Sequence, residues 1–352
     1  MTAISHESYQ HAAKLVASFQ NPVLLAHARP DGDALGALAG TQRLLETIGV
    51  RATAVVYEPI PPRYRFAEKL ARFSQLGRDL SLTDFDRFDA IILLDTCAYS
   101  QLIPVADWLK STNVTKFVVD HHITRDVPQE HSLIDEHASA TCLLVFEWAQ
   151  AAGWTIDSGT ASSLFMGLAL DTGWFRFSNT DERTLLAAAC LTSCGASPSN
   201  LSQELFQHDT LGRLRLLAAS LQSLELLGEG RLAVMTLSKE AFINAGAAMS
   251  DTEDLVNEPL RLESVLVSVL LVQQSDGIVR LNFRSKPPPP EGGLDIDVAA
   301  IAQSFGGGGH RRAAGARLKL GLAEGRQTVV GHVVSAIGAC ESADSLQGIA
   351  RT

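Results

Sequence analysis

Short apolar runs that stop abruptly at polar clusters mark the first half of the chain. Val23–Ala26 is apolar and breaks off at His27; Ala90–Leu94 breaks off at Asp95; Lys116–Val119 runs into Asp120, His121 and His122. Continuous runs of this kind are what strands buried on both faces of a parallel sheet require. Thr53–Tyr57 reads as a fourth strand. Between the runs the spacing turns helical. Tyr9, Ala12, Leu15, Val16 and Phe19 recur at helical spacing, and a second amphipathic stretch begins near Asp33 and stops at Gly49. Strands alternating with helices predict a doubly wound parallel α/β sheet.

From Ala140 onward the pattern is helical, over Ala140–Ala152, Thr160–Leu170, Asp181–Cys194 and the Leu-rich Leu211–Leu227, with a small-residue break at Gly195–Asn200. Beyond Gly228 strands return at Leu232–Leu237, Val265–Val272 and Ile278–Phe283, with helices between Lys239 and Leu260. Lys286–Pro290 is a stiff proline loop. A helix over Asp297–Phe305 leads into Gly306–Gly309; a strand near Ala316–Leu320 and a helix over Gln327–Cys340 follow, with a frayed end. These shifts divide the chain into an α/β domain at 1–194, a helical linker at 195–227 and a smaller α/β domain at 228–345.

Composition narrows the setting. The formal net charge is −10, which disfavours wrapping long nucleic acid, where many Lys and Arg contacts to phosphate supply the affinity. Five cysteines without a CxxC pair read as free thiols of a reducing compartment. No apolar run approaches ~18 residues, and the first twenty residues lack the basic and apolar regions of a signal peptide. A soluble cytoplasmic protein with no membrane partner is expected.

The chemistry-bearing residues sit where the strands end. His27, Asp31 and Asp33 follow the first strand, Asp95 another and Asp120, His121 and His122 a third, while Asp171 closes a helix. Open α/β sheets gather strand ends at one edge. Singly, each residue could cap a helix or sit as a satisfied core imidazole; together they place several carboxylates in one cleft, where they repel unless cations neutralise them. That set suits two ions ~3.5–4 Å apart, the arrangement that clamps a phosphoryl group. In the second domain Gly306–Gly309 present backbone N–H groups to an anion. A helix starting at His310, with Arg311 and Arg312, would add positive potential, and Arg284-Ser285-Lys286 forms a second basic cluster.

His27-Ala-Arg-Pro-Asp31-Gly-Asp33-Ala, Leu94-Asp95-Thr96, Asp120-His121-His122, Ala138-Ser-Ala-Thr141, Asp171-Thr-Gly173 and Gly306-Gly-Gly-Gly-His310-Arg-Arg-Ala-Ala-Gly315 occur in this order over nearly the whole chain. In them the sequence resembles the RecJ-like DHH/DHHA1 phosphoesterases, and within these the stand-alone nanoRNase/pAp phosphatase group. The resemblance implies an N-terminal DHH domain, a helical linker and a C-terminal DHHA1 domain, with the active site in the cleft between domains. It implies two Mn²⁺ ions, with Mg²⁺ or Co²⁺ as substitutes. His27, Asp31 and Asp95 look like ligands of one ion, and Asp33, Asp95, His121 and Asp171 of the other, Asp95 bridging. Asp120 looks like the group that orients the histidine pair, and His122 like the residue that contacts phosphate and aids the leaving group. Arg284, Ser285, Gly307, Gly308, Gly309, His310 and Arg311 look like substrate contacts. Two departures stand out. The proline run is not a family feature, and Cys142-Leu143-Leu144, directly after Ala138–Thr141, lacks the acidic residue often found there.

The implied activity is hydrolysis of short oligoribonucleotides to mononucleotides, and of 3′-phosphoadenosine 5′-phosphate (pAp) to AMP, by a two-metal-activated hydroxide. A phosphodiesterase of cyclic or linear dinucleotides is the alternative. A single-strand DNA exonuclease fits less well, because the chain is acidic and lacks room for a further nucleic-acid domain. A non-catalytic nucleotide-binding regulator would have lost ligands, and every one is present. A homodimer is the family expectation.

Overall fold

The computed structural model describes residues 4–128, 130–274, 277–289 and 292–349, with side chains to residue 341. The chain forms two compact units, Met1–His208 and Asp209–Thr352.

The first unit opens with α1 (His6–Val16), followed by β1 (Val23–Leu25), α2 (Gly32–Thr47), β2 (Thr53–Val56), β3 (Phe73–Gln75), β4 (Ala90–Leu94), α3 (Ala106–Ser111), β5 (Thr115–Asp120) and β6 (His131–Ile134). Four helices complete it: α4 (Thr141–Ala152), α5 (Ser158–Asp171), α6 (Glu182–Ser193) and α7 (Pro198–Phe206). The strands form one sheet in the order β3-β2-β1-β4-β5-β6, every pairing parallel. The order reverses between β1 and β4, and a reversal opens a crevice outside the carboxyl ends of the strands. All five residues of β4 are buried, as their apolar run requires. The edge strands β3 and β6 do not show in the hydrophobic pattern, because only one of their residues, Leu133, is buried.

Glycines set how closely α2 and α5 approach. Gly32, Gly36 and Gly40 recur every four residues and so share one face of α2. A Cβ at Gly32 would lie 2.0 Å from Leu170, at Gly36 2.5 Å from the Ser163 carbonyl and at Gly40 2.5 Å from Leu164. From Gly32 to Gly40 the partner shifts back along α5 from Leu170 to Leu164, so the helices run antiparallel. On α5, a Cβ at Gly167 would lie 2.7 Å from an Asp33 carboxylate oxygen. The bare backbones therefore bring Asp33, at the start of α2, alongside the end of α5 that carries Asp171.

The second unit contains α8 (Leu211–Gln222), β7 (Glu225–Leu227), β8 (Leu232–Leu237), α9 (Lys239–Ala245), β9 (Val267–Gln273), β10 (Val279–Ser285), α10 (Val298–Gln303), β11 (Gly308–His310), β12 (Ala313–Leu318) and α11 (Leu322–Ile349). Its sheet runs β11-β12-β10-β9-β8-β7, with β8 and β9 parallel and the other pairs antiparallel. Val234, Val269, Leu271, Leu281 and Phe283 pack with Ile301, Val329 and Val333 in its core.

The structure departs from the sequence pattern in four places. The Leu-rich stretch is not one helix: α8 stops at Gln222, and Ser223 accepts the Thr236 N–H at 2.9 Å as the chain turns into β7. The small-residue break contains the start of α7, capped by Ser197 with Pro198 at the first helical position. The last helix runs to Ile349, through residues expected to fray. At His310 there is a strand and no helix. Among the described residues no helix is long and apolar enough to cross a membrane.

Gly36→Ala is expected to cost about 1–3 kcal/mol, read from the urea midpoint, because the added methyl meets backbone. An unchanged midpoint would show that the helices do not need the bare glycine.

Candidate metal centre

Four chain segments converge at the carboxyl edge of the first sheet. His27 lies two residues past β1, Asp95 directly after β4, Asp120 ends β5 with His121 and His122 next, and Asp171 ends α5. Asp31 caps α2, its Oδ1 accepting the N–H groups of Asp33 and Ala34 at 3.0 and 3.1 Å. Asp95 holds a left-handed backbone, φ 60°, and its N–H donates to the Val119 carbonyl at 3.0 Å. A side-chain-bearing residue in that region stores strain of about 1–3 kcal/mol, the kind that collects at functional sites.

The two oxygens of Asp95 face two different imidazoles. Its Oδ2 is 3.4 Å from His27 Nε2, which lies 3.8 Å from Asp31 Oδ1. Its Oδ1 is 3.6 Å from His121 Nε2, which lies 3.7 Å from Asp171 Oδ2. His27, Asp31 and Asp95 form one cluster of potential ligands and Asp33, His121 and Asp171 another, the donor atoms of each within 4.8 Å of one another. These separations are long for hydrogen bonds. They approach the spacing of about 3.0–3.5 Å that two donors 2.0–2.2 Å from a shared ion adopt. Asp31, Asp33, Asp95 and Asp171 together need four positive charges, which two divalent cations supply. Carboxylates with imidazole suit hard to borderline divalent ions. The residues fit a two-ion centre.

A second layer fixes these side chains. Asp33 accepts the Thr141 N–H at 2.6 Å and the Cys142 N–H at 3.0 Å, both from the first turn of α4. Thr141 Oγ1 donates to Asp95 at 3.0 Å. His121 Nδ1 lies 3.0 Å from the Ala138 carbonyl. A carbonyl only accepts, so Nδ1 keeps its proton, and Nε2, which faces Asp95 and Asp171, is the nitrogen that would offer a lone pair once the ring is neutral. His122 Nδ1 lies 2.7 Å from Asp120 Oδ1. His122 also groups with Asp95 and His121, but the nitrogen that approaches Asp95, at 3.7 Å, is this same Nδ1. The second layer was not legible as such in the sequence, although Ala138–Thr141 was singled out. A glycine at every fourth position of α2 was the available signal for the close packing beneath it.

Without cations, protons neutralise the cluster. Burial pushes His27 and His121 down, but the carboxylates outweigh it: Asp31 and Asp95 hold His27 up to about 10, and Asp171, Asp95 and Asp33 hold His121 up to about 9. Burial, together with Asp31 and Asp95, pushes Asp171 up to about 7 against the pull of His121. Asp33 is held well above the usual carboxylate range by burial, Asp95 and Asp171.

In the second unit Arg284 is half-buried on β10, its Nη1 donating to the Phe283 carbonyl at 3.0 Å; burial pushes its pKa down against the charges of Asp254 and Glu253. Ser285 is buried and gives its hydroxyl to the Ile296 carbonyl at 2.9 Å. The second half of the glycine run, Gly308 and Gly309, opens a paired strand, and no helix follows it. Gly308 faces Gly315 and His310 faces Ala313 across the hairpin. A Cβ at Gly307 would lie 2.1 Å from the Gly315 carbonyl and one at Gly309 2.5 Å from that of Ala313, so close approach to β12 demands glycine at these two positions. The helix dipole expected at His310 is absent. Arg311 pairs with Asp295 at 2.5 Å, and Arg312 pairs with the same carboxylate. Of the proline run, Pro290 lies outside the described residues, and Pro287–Pro289 form no regular element.

Residues 22–168 match the DHH family, N-terminal domain, and residues 230–337 match the DHHA1 domain. The bifunctional oligoribonuclease and PAP phosphatase NrnA of Thermus thermophilus is 30% identical over 319 residues, 89% of this chain and 89% of that one. Its namesake from Bacillus subtilis is 26% identical over 309 residues, 87% of this chain and 91% of that one. The crystal structure of an exopolyphosphatase-related protein from Bacteroides fragilis has the same fold, with a TM-score of 0.84 at 21% identity over 96% of this chain and 98% of that one.

Cation binding must displace the protons that neutralise the cluster, so affinity is expected to rise with pH. His121, held up to about 9, and Asp171, up to about 7, are protonated below those values and must lose protons to become ligands. Calorimetric titration with Mn²⁺ in buffers of different ionisation enthalpy should show proton release and tighter binding from pH 6 to pH 9. Affinity independent of pH would contradict the ligand set.

Proposed function

Since the chain belongs to the DHH family of phosphoesterases and carries a DHHA1 domain, we propose that it hydrolyses short oligoribonucleotides to mononucleotides and pAp to AMP. The observation that carries this reading is Asp95, whose two oxygens face the imidazoles of two separate ligand clusters. His27, Asp31 and Asp95 would hold one Mn²⁺ ion, and Asp33, Asp95, His121 and Asp171 the other. When bound, such a pair supplies Lewis acidity at the phosphoryl group and lowers the pKa of water for in-line displacement.

The side chains supply orientation and a proton. Asp120 holds the Nδ1 proton of His122 and fixes the ring, acting as a positioning residue. Burial pushes the His122 pKa down, but Asp120 and Asp95 outweigh it and raise it above the ordinary imidazole value. That shift favours the protonated ring, which would attract phosphate and give its Nε2 proton to the leaving oxygen. Arg284, with residues 307–310 and Arg311, binds the rest of the nucleotide; a half-buried guanidinium gains most from an anionic partner. The nucleotide preference follows from similarity over 89% of the chain to a protein named for oligoribonucleotides and PAP.

Rates with Mn²⁺ on a diribonucleotide, a five-nucleotide RNA, pAp and a cyclic dinucleotide test the substrate class. The short RNAs and pAp should be cleaved with the highest kcat/KM; preference for the cyclic dinucleotide would install the alternative. Asp95→Ala is expected to lower kcat by about 100-fold or more, and retention of more than a few per cent would exclude a shared carboxylate. Arg284→Ala should raise KM about tenfold or more while largely sparing kcat; a kcat loss at constant KM would contradict a binding role.

A further inference from the structure

We propose that the ion pair between Arg183 and Asp135 positions the metal centre, by holding the turn that holds three of its ligands. The inference rests on the two-metal reading above. Residues 138–142 meet the centre through the Ala138 carbonyl on His121, the Thr141 and Cys142 N–H groups on Asp33, and the Thr141 hydroxyl on Asp95. Ala138 to Ala140 lie in no strand or helix, so neither a sheet ladder nor a helical repeat fixes their backbone.

That turn is organised from Asp135. Its N–H donates to the Asp120 carbonyl at 3.2 Å, and its own carbonyl accepts the Ala138 N–H at 3.0 Å. Its Oδ1 accepts the His137 N–H at 3.0 Å. Its Oδ2 accepts from Arg183 Nη1 at 2.7 Å. Arg183 stands in the first turn of α6, and its other groups reach Glu147 on α4, Nε to Oε1 at 2.5 Å and Nη2 to Oε2 at 2.6 Å. One guanidinium thus ties the start of the turn to the helix that follows it, with Ala138, Thr141 and Cys142 between the two anchor points. Thr184, next to Arg183, donates to Ser139 Oγ at 2.7 Å and adds a hold at the middle of the turn.

The planar fork of arginine engages two carboxylates at fixed angles, which a lysine point charge does not reproduce. Asp135 is 9% exposed, so an unpaired carboxylate there has little recourse to water. With the pair broken, the turn adopts other conformations to satisfy Asp135. The Ala138 carbonyl then leaves His121, and the Thr141 and Cys142 amides shift on Asp33. Groups that orient ligands in this way are worth about 10–100-fold in metal affinity.

Calorimetric titration of the full chain with Mn²⁺ alone tests this directly. Arg183→Gln and Asp135→Asn are expected to weaken Mn²⁺ binding about 10–100-fold, and Arg183→Lys to recover part of the loss by restoring one contact. Glu147→Gln removes the charge on α4 but leaves Asp135 held; it should lower the melting temperature without a comparable loss of affinity. Asp135→Asn conserves shape and keeps the test readable if Arg183→Gln does not fold. Parent-like affinity in both Asp135→Asn and Arg183→Gln, or an equal loss in Glu147→Gln, overturns the proposal. A parent that binds Mn²⁺ but cleaves no nucleotide sinks the functional reading alone, and a parent that binds no Mn²⁺ sinks both.

Discussion

Concentrated negative charge at one edge of a parallel sheet is the constraint on which the first unit depends. Asp31, Asp33, Asp95 and Asp171 come together where β1, β4 and α5 end, and Asp33 and Asp95 are almost fully buried. Charges so placed repel unless something positive lies among them. In the chain by itself the imidazoliums of His27 and His121 fill that role and a proton on Asp171 removes one of the charges, which is why their pKa values stand so far from ordinary. Two divalent cations would do it without protons, and the donor separations approach the spacing such ions require.

Much of the surrounding architecture serves to hold those carboxylates against their own repulsion. The glycine face of α2 lets α5 approach until Asp33 and Asp171 belong to one cluster. The amide groups at the start of α4 grip Asp33, and the Ala138 carbonyl selects the His121 tautomer that presents Nε2. The left-handed backbone of Asp95 aims one carboxylate at both clusters, and the parallel pairing of β4 with β5 keeps that strained residue in register through its bond to Val119. Stability is traded for preorganisation at each of these points.

The strands that lead into the candidate ligands were legible because burial on both faces leaves uninterrupted apolar runs such as Ala90–Leu94. The candidate ligands stood out because polar residues end those runs. The edge strands β3 and β6 were not, since half-exposed residues such as Ser74 and His131 carry no such mark. Gly306–Gly309 misled in a different way. Glycine permits both a mobile anion-binding loop and a closely packed strand, and only the neighbours decide; here the carbonyls of Ala313 and Gly315 leave no room for a Cβ. The turn from Asp135 to Thr141 joins candidate ligands far apart in sequence mainly through backbone groups, which residue identity does not encode.

The division of labour between Asp31 and Asp33 is the most exposed point. They are two residues apart, yet one groups with His27 and the other with His121 and Asp171. Mn²⁺ titration followed by electron paramagnetic resonance, on the full chain and on Asp31→Asn and Asp33→Asn, addresses it. Two spin-coupled Mn²⁺ ions are expected in the parent, with each variant losing one ion and the coupling while keeping the other. A parent holding a single uncoupled ion, or variants that each lose both ions or neither, would contradict the split.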